Sequence, residues 1–390
     1  MGKKEILPID IFHKFSDAVL NSDPVTGLTH NFYRYPARFS PEFAKQAILS
    51  FSKTGDLILD PFMGGGTSLV EALANNRKAI GVDLSPLASF VANVKTTLIG
   101  EKSLDKIIAW AEIVGKNAKI DKKRMPSFWA EAGYQKDVPW HLRQLIELIL
   151  SQISELPRKD QQRFAQCVLL KTAQWAIDCK EELPSVERFR NKFIEYTYES
   201  VDGMKELKNK VSEDAPLCSC INNSTIGIEK IALFKSLKLK PKLILTSPPY
   251  PGVHVIYHQW QVKSRKRTSA PFWIIGEENG YTSSHYTFGD YRQQNHTKYF
   301  ETALQAFSSV RKIVDESTTI VQLIGFSDPA RQLPKYLKIM ESAGFTEIAL
   351  DQNSNGNTKR LWRNVPNRKW YVDVNGKYQT KEVVLVHKPV

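Results

Sequence analysis

The sequence predicts an α/β fold, an open sheet with helices on both faces, and three stretches predict it. Asp56-Leu-Ile-Leu-Asp60 is a short apolar run. It passes into Pro61-Phe-Met-Gly-Gly-Gly-Thr67 and then into a helical pattern carried by Leu69, Val70, Ala72 and Leu73. Lys78-Ala-Ile-Gly-Val82 is a second apolar strand, ending at Asp83. Leu243-Ile-Leu-Thr246 is another, stopped by Ser247-Pro-Pro-Tyr250. Strand, glycine turn and helix make a cofactor-binding unit, because glycines let the backbone approach a ligand with no Cβ in the way. Prolines have no N–H and cannot continue a central ladder. Pro248 and Pro249 therefore form a rigid tip at the carboxyl end of their strand, where open α/β sheets bind ligands.

Composition bounds the rest. With 390 residues the chain suggests about two or three domain-sized units. It is 42% hydrophobic and 24% charged, an ordinary globular balance. Lys and Arg outnumber Asp and Glu by 54 to 41, a net charge of +13 that favours a polyanionic partner, nucleic acid before membrane. No apolar run reaches membrane-spanning length and no apolar signal segment opens the chain, so the expected location is the cytoplasm. Cys167, Cys179, Cys218 and Cys220 lack metal-ligand spacing and read as reduced core residues. Cys218 and Cys220 would face the same side of a strand.

Taken in order, residues 1–29 read as a short helix and a loop. His30 to Phe43 is aromatic and basic; Ser40 is a good N-cap and Pro41 a good first residue for a helix over 41–49, with Phe39 packing back on it as a staple. From 85 to about 210 the spacing of Leu142, Leu145, Ile146, Ile149 and Phe164 predicts several helices, broken near Pro126, Pro139, Pro157 and Pro184. The domain boundaries that follow are 1–100, a helical insertion over 101–214, and 215–390. A strand over 215–221 leads to Asn222-Asn223, then a helix over 226–237. A helix over 298–314, a strand over 318–324 and a helix over 333–343 ending at Gly344 complete the alternation. Residues 346–350 and 382–387 read as a terminal antiparallel pair.

Basic residues interleave with aromatics in two places. Lys263, Arg265, Lys266 and Arg267 lie near Trp260, Phe272, Trp273 and Tyr281; Lys359 to Arg363 precede Asn367 to Trp370. Such stretches suit a nucleic-acid groove, cations for phosphates and rings for bases; a charged loop with its aromatics tucked inward is the plainer alternative. Lys122-Lys-Arg124 and the group Arg188, Arg190 and Lys192 are either phosphate contacts or solvated faces. Residues 276–291 read as a mobile loop near the site. His254, His258 and His285 form no metal set, and no metal is required.

The charge at the strand ends narrows the ligand. Asp60 at the mouth of the glycine turn disfavours a phosphate and favours an ammonium group. Asp83, about twenty residues past the turn, is placed to hydrogen-bond a ribose diol. The third position of the dinucleotide fingerprint is Leu69 in place of glycine, which disfavours a nicotinamide cofactor.

Asp60-Pro-Phe-Met-Gly-Gly-Gly-Thr67 and Ser247-Pro-Pro-Tyr250 resemble the cofactor and catalytic motifs of S-adenosylmethionine-dependent DNA amino-methyltransferases. The Ser-Pro-Pro-Tyr form is similar to that of the cytosine-N4 branch. Pro36-Ala-Arg-Phe39 is similar to the segment that closes over the methionine end of the cofactor in this family. The resemblance implies a Rossmann-like class I methyltransferase sheet and S-adenosylmethionine as cofactor. It implies cofactor contacts from Tyr35, Pro36, Ala37, Phe39, Asp60, Pro61, Phe62, Gly64, Gly66, Thr67 and Asp83, with Asn222 against the adenine. It implies Ser247, Pro248, Pro249 and Tyr250 as catalytic residues. The Ser247 oxygen and Pro248 carbonyl would accept the amine hydrogens, and Tyr250 would stack on a flipped base. Duplex DNA is the implied partner, contacted by Lys263, Arg265, Lys266 and Arg267, with a cognate restriction endonuclease in a restriction–modification setting. The resemblance covers about 30–95 and 215–390. The cofactor motif precedes the catalytic one, the reverse of many Ser-Pro-Pro-Tyr enzymes, so adenine-N6 remains open beside cytosine-N4. RNA guanine-N2 methylation, protein-glutamine methylation and an inactive DNA-binding module are the other readings.

Overall fold

The computed structural model describes residues 9–21, 25–36, 38–118, 120, 138–180, 182–212, 214, 216–251, 259–262, 266–277, 285–289, 296–348, 351–352, 358–364 and 381–390. Helix α1 (Ile9–Leu20) precedes a single turn at His30–Phe32 and α2 (Pro41–Phe51). Ser40 caps α2 by accepting the Phe43 N–H at 3.2 Å, and the Phe39 ring meets Phe43 edge-on at 5.7 Å, the expected staple. Next come β1 (Leu57–Asp60), α3 (Thr67–Ala74), β2 (Lys78–Asp83) and α4 (Pro86–Thr96). Four longer helices follow: α5 (Glu101–Asn117), α6 (Trp140–Gln152), α7 (Lys159–Ile177) and α8 (Val186–Lys210). The chain returns to the sheet with β3 (Cys218–Asn222), α9 (Ala232–Ser236) and β4 (Leu243–Thr246). A hairpin, β5 (Trp260–Val262) and β6 (Lys266–Thr268), leads to α10 (Ala270–Ile275). The last elements are α11 (Thr297–Arg311), β7 (Thr319–Phe326), α12 (Pro329–Ser342), β8 (Phe345–Ile348), the short pair β9 (Asp351–Gln352) and β10 (Thr358–Lys359), β11 (Trp362–Asn364) and β12 (Lys381–Pro389).

Eight strands form the main sheet in the order β11-β12-β7-β4-β1-β2-β3, with β8 also paired to β12. The run β7-β4-β1-β2-β3 is parallel; β12 is antiparallel to β7, β8 and β11. The expected terminal pair is therefore present, and it extends the sheet because β12 also lies along β7. Alternate side chains of each central strand face opposite layers. Leu57, Leu59 and Ile244 face α11 and α12, whereas Ile58, Leu243 and Leu245 face α1, α2 and α3.

Two expected elements differ. The helix expected over 226–237 is split into a single turn at Ile228–Lys230 and α9, because Gly227 is left-handed at φ +83° and Ile231 is extended. Helix α12 starts at Pro329, four residues before the expected 333, because Asp328 caps it by accepting the Arg331 N–H at 3.3 Å. Cys179 is also exposed, at φ +57° past the end of α7, and is not a core residue. The helical block shares its core with the sheet unit: one apolar cluster runs from Tyr35 through Phe90 of α4 to Leu145, Phe164 and Phe193, and on to Phe272. Arg190 caps α5 through the Gly115 carbonyl at 2.6 Å, while Arg188 and Lys192 lie over the Trp175 ring, each 5.6 Å from its centre. Among the described residues no helix is long and apolar enough to cross a membrane. Residues 122–124, 254, 258 and 367–370 lie outside the described residues.

Candidate active site

The strand order reverses between β1 and β4: the chain runs outward through β2 and β3, then returns to lay β4 against β1. Such a switch point leaves a crevice at the carboxyl ends of the strands. Register pairs Ile58 with Leu243 and Leu59 with Ile244, so Asp60 and Thr246 end side by side. The Thr246 hydroxyl donates to Asp60 Oδ1 at 2.6 Å, and the Phe62 N–H donates to the same oxygen at 3.1 Å. The Ser68 hydroxyl donates to Oδ2. Three donors thus tie β1 to β4 and to the start of α3 through one carboxylate. Asp60 is only 1% exposed, and burial pushes its carboxyl up to about 6 despite those donors. Asp83, at the end of β2, accepts the Gly64 N–H at 2.9 Å and the Ser85 N–H at 2.8 Å, and burial pushes it up to about 6 as well. Neither carboxylate forms an ion pair among the described residues. A carboxylate has room for about four acceptor contacts, so each keeps a lone pair for a ligand.

The glycine turn has the shape its sequence demands. Gly64 and Gly66 have φ of +47° and +75°, in the left-handed region that side chains avoid. A Cβ on Gly65 would come within 2.7 Å of the Tyr35 Cβ, so the 30–39 segment lies directly on the turn. Fully buried Lys95 holds the turn from beneath, donating to the Gly65 carbonyl at 2.8 Å; burial, aided by Arg38, pulls its ammonium down to about 7. Arg38 donates to the His30 carbonyl at 3.1 Å, and the His30 ring meets Glu71 at 2.8 Å. The Tyr33 hydroxyl accepts from the Trp260 indole at 2.8 Å, which ties the segment to the β5–β6 hairpin.

A cavity of about 870 Å³ opens at this point. Its walls include Tyr35, Pro36 and Phe39, then Asp60, Phe62, Gly64, Thr67 and Asp83, and finally Ser247 and Pro249. These ten sequence-derived site residues share one space. Five other described cofactor or catalytic candidates do not line it. The Pro61 carbonyl accepts the Thr225 hydroxyl at 2.5 Å, and Gly66 is the N-cap position just before α3. Pro248 is buried behind the tip. Asn222 donates from its amide to the Asp83 and Leu84 carbonyls, both at 3.0 Å, so it braces the turn after β2; Ser224, Thr225 and Ile226 reach the cavity in its stead. Tyr250 packs its ring over Gly325 of β7, where a Cβ would lie 2.7 Å from it. The Tyr250 hydroxyl stands 3.0 Å from Ser247 Oγ and donates to Glu382 at 2.9 Å. The resemblance implies a ring stacked on the base; here the ring is committed to the sheet and reaches the cavity through Ser247. The Pro249 carbonyl accepts from the Tyr299 hydroxyl at 2.7 Å. Ala37, Lys263 and Arg265 lie outside the described residues, while Lys266 and Arg267 stand exposed on β6.

Sequence reasoning missed part of the wall. Lys298, Thr302 and Gln305 project from one face of α11 at positions i, i+4 and i+7, a polar stripe that the spacing could have revealed. Phe288 also lines the cavity, 5.3 Å edge-on from Phe62, together with His285 and Tyr286. Arg38 was read only as part of a motif and lines it too.

Residues 10–91 match the family model described as DNA methylase. The segment holds the 30–39 loop, the glycine turn and Asp83. The chain is also similar to the type II methyltransferase M.MvaI of Kocuria varians, 27% identical over 253 residues, covering 57% of this chain and 53% of that protein. It is 32% identical over 104 residues to the type II methyltransferase M.MjaII of Methanocaldococcus jannaschii, covering 27% of this chain and 19% of that one. The orphan methyltransferase M.BamHII of Bacillus amyloliquefaciens is 40% identical over 75 residues, 19% of this chain and 28% of the relative. The chain spans about half the length of the first of these relatives and less of the other two. The segment over 10–91, which carries the glycine turn, is thus similar to DNA methylases of the N4/N6 type, and the wider chain is similar to parts of type II and orphan methyltransferases. The site fits S-adenosylmethionine, since buried Asp60 and partly exposed Asp83 both line the cavity and neither forms an ion pair among the described residues, which suits an ammonium and a ribose diol.

Proposed function

We propose that the protein is a DNA methyltransferase that transfers the methyl group of S-adenosylmethionine to the exocyclic N4 amine of cytosine. One observation carries the reading: the ends of β1, β2 and β4 open into a single cavity lined by Asp60, Asp83 and Ser247. When bound, S-adenosylmethionine supplies an electrophilic methyl carbon and leaves as S-adenosylhomocysteine. The residues of the chain do the rest. Asp60 faces the ammonium end and Asp83 the ribose. Tyr35, seated on the glycine turn, covers the ligand and keeps water out. The Oγ of Ser247, a tip residue that lines the cavity, accepts an amine hydrogen, which draws the nitrogen lone pair out of conjugation with the ring. Positioning and electrostatics supply the rate, without a covalent intermediate.

A base within a duplex cannot reach this cavity, so the target is flipped. Lys266 and Arg267 on the exposed hairpin suit phosphate contacts, and the +13 charge favours the same partner. The helical block over 101–214 is the segment we assign to DNA recognition. Similarity to type II methyltransferases supports a restriction–modification setting; a cognate endonuclease is the partner this setting would call for. Cytosine is chosen over adenine because Ser247 opens the catalytic tetrad. The test is incubation of duplex DNA with labelled cofactor, then nucleoside mass spectrometry. N4-methylcytosine is expected; N6-methyladenine would replace the base assignment, and unmodified DNA would refute the enzyme.

A further inference from the structure

A buried chain of polar side chains runs from the cavity wall into the C-terminal part of the sheet. Ser247 Oγ is 3.0 Å from the Tyr250 hydroxyl. Tyr250 donates to Glu382 Oε1 at 2.9 Å, and Arg363 Nε donates to Glu382 Oε2 at 2.6 Å. Arg363 also reaches the Val19 carbonyl of α1 at 3.4 Å. Glu382 and Arg363 are 5% and 8% exposed and face each other across the β11–β12 ladder. On its other side Glu382 pairs with Gly325, whose missing side chain leaves the space that the Tyr250 ring fills.

We infer that Glu382 and Arg363 are positioning residues that fix the hydrogen-bond polarity of Ser247, and so make the cavity select a base by its amine. The inference rests on the reading of the cavity given above and goes beyond it to the device that sets base chemistry. The argument is a count of hydrogens. A carboxylate facing a guanidinium only accepts. The single Tyr250 hydrogen is therefore spent on Glu382. Between the two hydroxyls Ser247 must then be the donor and Tyr250 the acceptor. With its hydrogen turned inward, Ser247 presents only lone pairs to the cavity. That surface accepts an N–H of an exocyclic amine and leaves a carbonyl oxygen without a partner. A buried polar mismatch of this kind discriminates strongly.

Glu382→Gln tests this with almost no change of shape. Arg363 would keep the amide oxygen, so the amide NH2 would donate to Tyr250. The Tyr250 hydrogen would swing to Ser247, and the Ser247 hydrogen would point into the cavity. Protein saturated with S-adenosylhomocysteine is titrated with 2′-deoxycytidine against 2′-deoxyuridine, and with 2′-deoxyadenosine against 2′-deoxyinosine, by ligand-observed NMR. The wild type should favour the amine member of at least one pair by about tenfold. Glu382→Gln should abolish or reverse that preference and lower kcat by about tenfold or more, with the cofactor KM nearly unchanged. In a Tyr250→Phe background, Glu382→Gln should change the preference no further. Should Glu382→Gln fold poorly, Tyr250→Phe alone keeps the ion pair and should still lose most of the preference. Equal affinity for both members of each pair in the wild type overturns the inference, as does a folded Glu382→Gln protein that keeps the wild-type preference. An amine preference that Glu382→Gln reverses, in a wild type that methylates no DNA, would uphold it while removing the function proposed above.

Discussion

The ends of β1 and β4 lie side by side, yet they solve opposite problems. The β1 end is built from glycines and carries carboxylates that form no ion pair among the described residues: Asp60, together with Asp83 at the end of β2. The β4 end is built from prolines and carries no free charge, because Glu382 behind Tyr250 is neutralised by Arg363. The first end is incomplete until a cation arrives. The second is complete without a ligand and offers orientation alone. The difference teaches that charge is used here to hold one molecule and hydrogen-bond direction to select another. It also follows that removing charge at one end and removing a hydroxyl at the other should have separable effects.

The sharpest way to break that contrast is Ser247→Ala. Turnover should fall by about 100-fold or more while cofactor affinity stays within about twofold, read from kcat and from a binding titration. If cofactor affinity collapsed as well, the two ends would not be independent.

The β1 end should answer to pH. Burial raises Asp60 from 3.8 to about 6, and Asp83 likewise. For a raised carboxyl the stabilising contribution is complete below the unfolded value near 4 and is lost as pH rises through 6, at a cost of about 3 kcal/mol per group. Ligand binding runs the other way, because an ammonium needs the ionised form. Affinity for S-adenosylhomocysteine should therefore rise by about tenfold between pH 5 and 7, and Asp60→Asn should bind more weakly and flatten the rise. Calorimetry across that window checks both. A flat wild-type profile would remove the electrostatic half of the comparison.

Gly65→Ala should have a smaller effect confined to the same end. The added methyl meets the Tyr35 Cβ at 2.7 Å and must push the covering segment away. A loss of about 1–3 kcal/mol in stability is expected from thermal melts, with cofactor affinity reduced. Smallest is the contribution of the hairpin. Lys266→Ala and Arg267→Ala should each weaken DNA binding a few-fold, equally across sequences, and lower the salt slope by about one.

Much of the β1 end was legible because its signals are local. Three consecutive apolar residues, a run of glycines and an acid at the end of the next strand specify strand, turn and ribose contact within a few turns of chain. The β4 strand was legible to the residue, since Pro248 and Pro249 forbid its extension. The support behind Tyr250 was not legible. Its partner Glu382 is 132 positions away, and the pairing exists only because β12 inserts beside β7. Asn222 went astray for a related reason: its amide satisfies two nearby carbonyls, and the chain turns so that Ser224 and Thr225 face the cavity. The stretch read as a mobile loop contains His285 to Gly289, whose described residues wall the cavity through a Phe288–Phe62 contact no spacing rule encodes.

A crystal structure of the protein with S-adenosylhomocysteine tests the shared cavity most directly. The account predicts the ammonium against Asp60, the ribose diol on Asp83, Tyr35 over the ligand, and the sulfur facing Ser247 across open space. A ligand seated elsewhere, or one whose sulfur is walled off from Ser247, would contradict it.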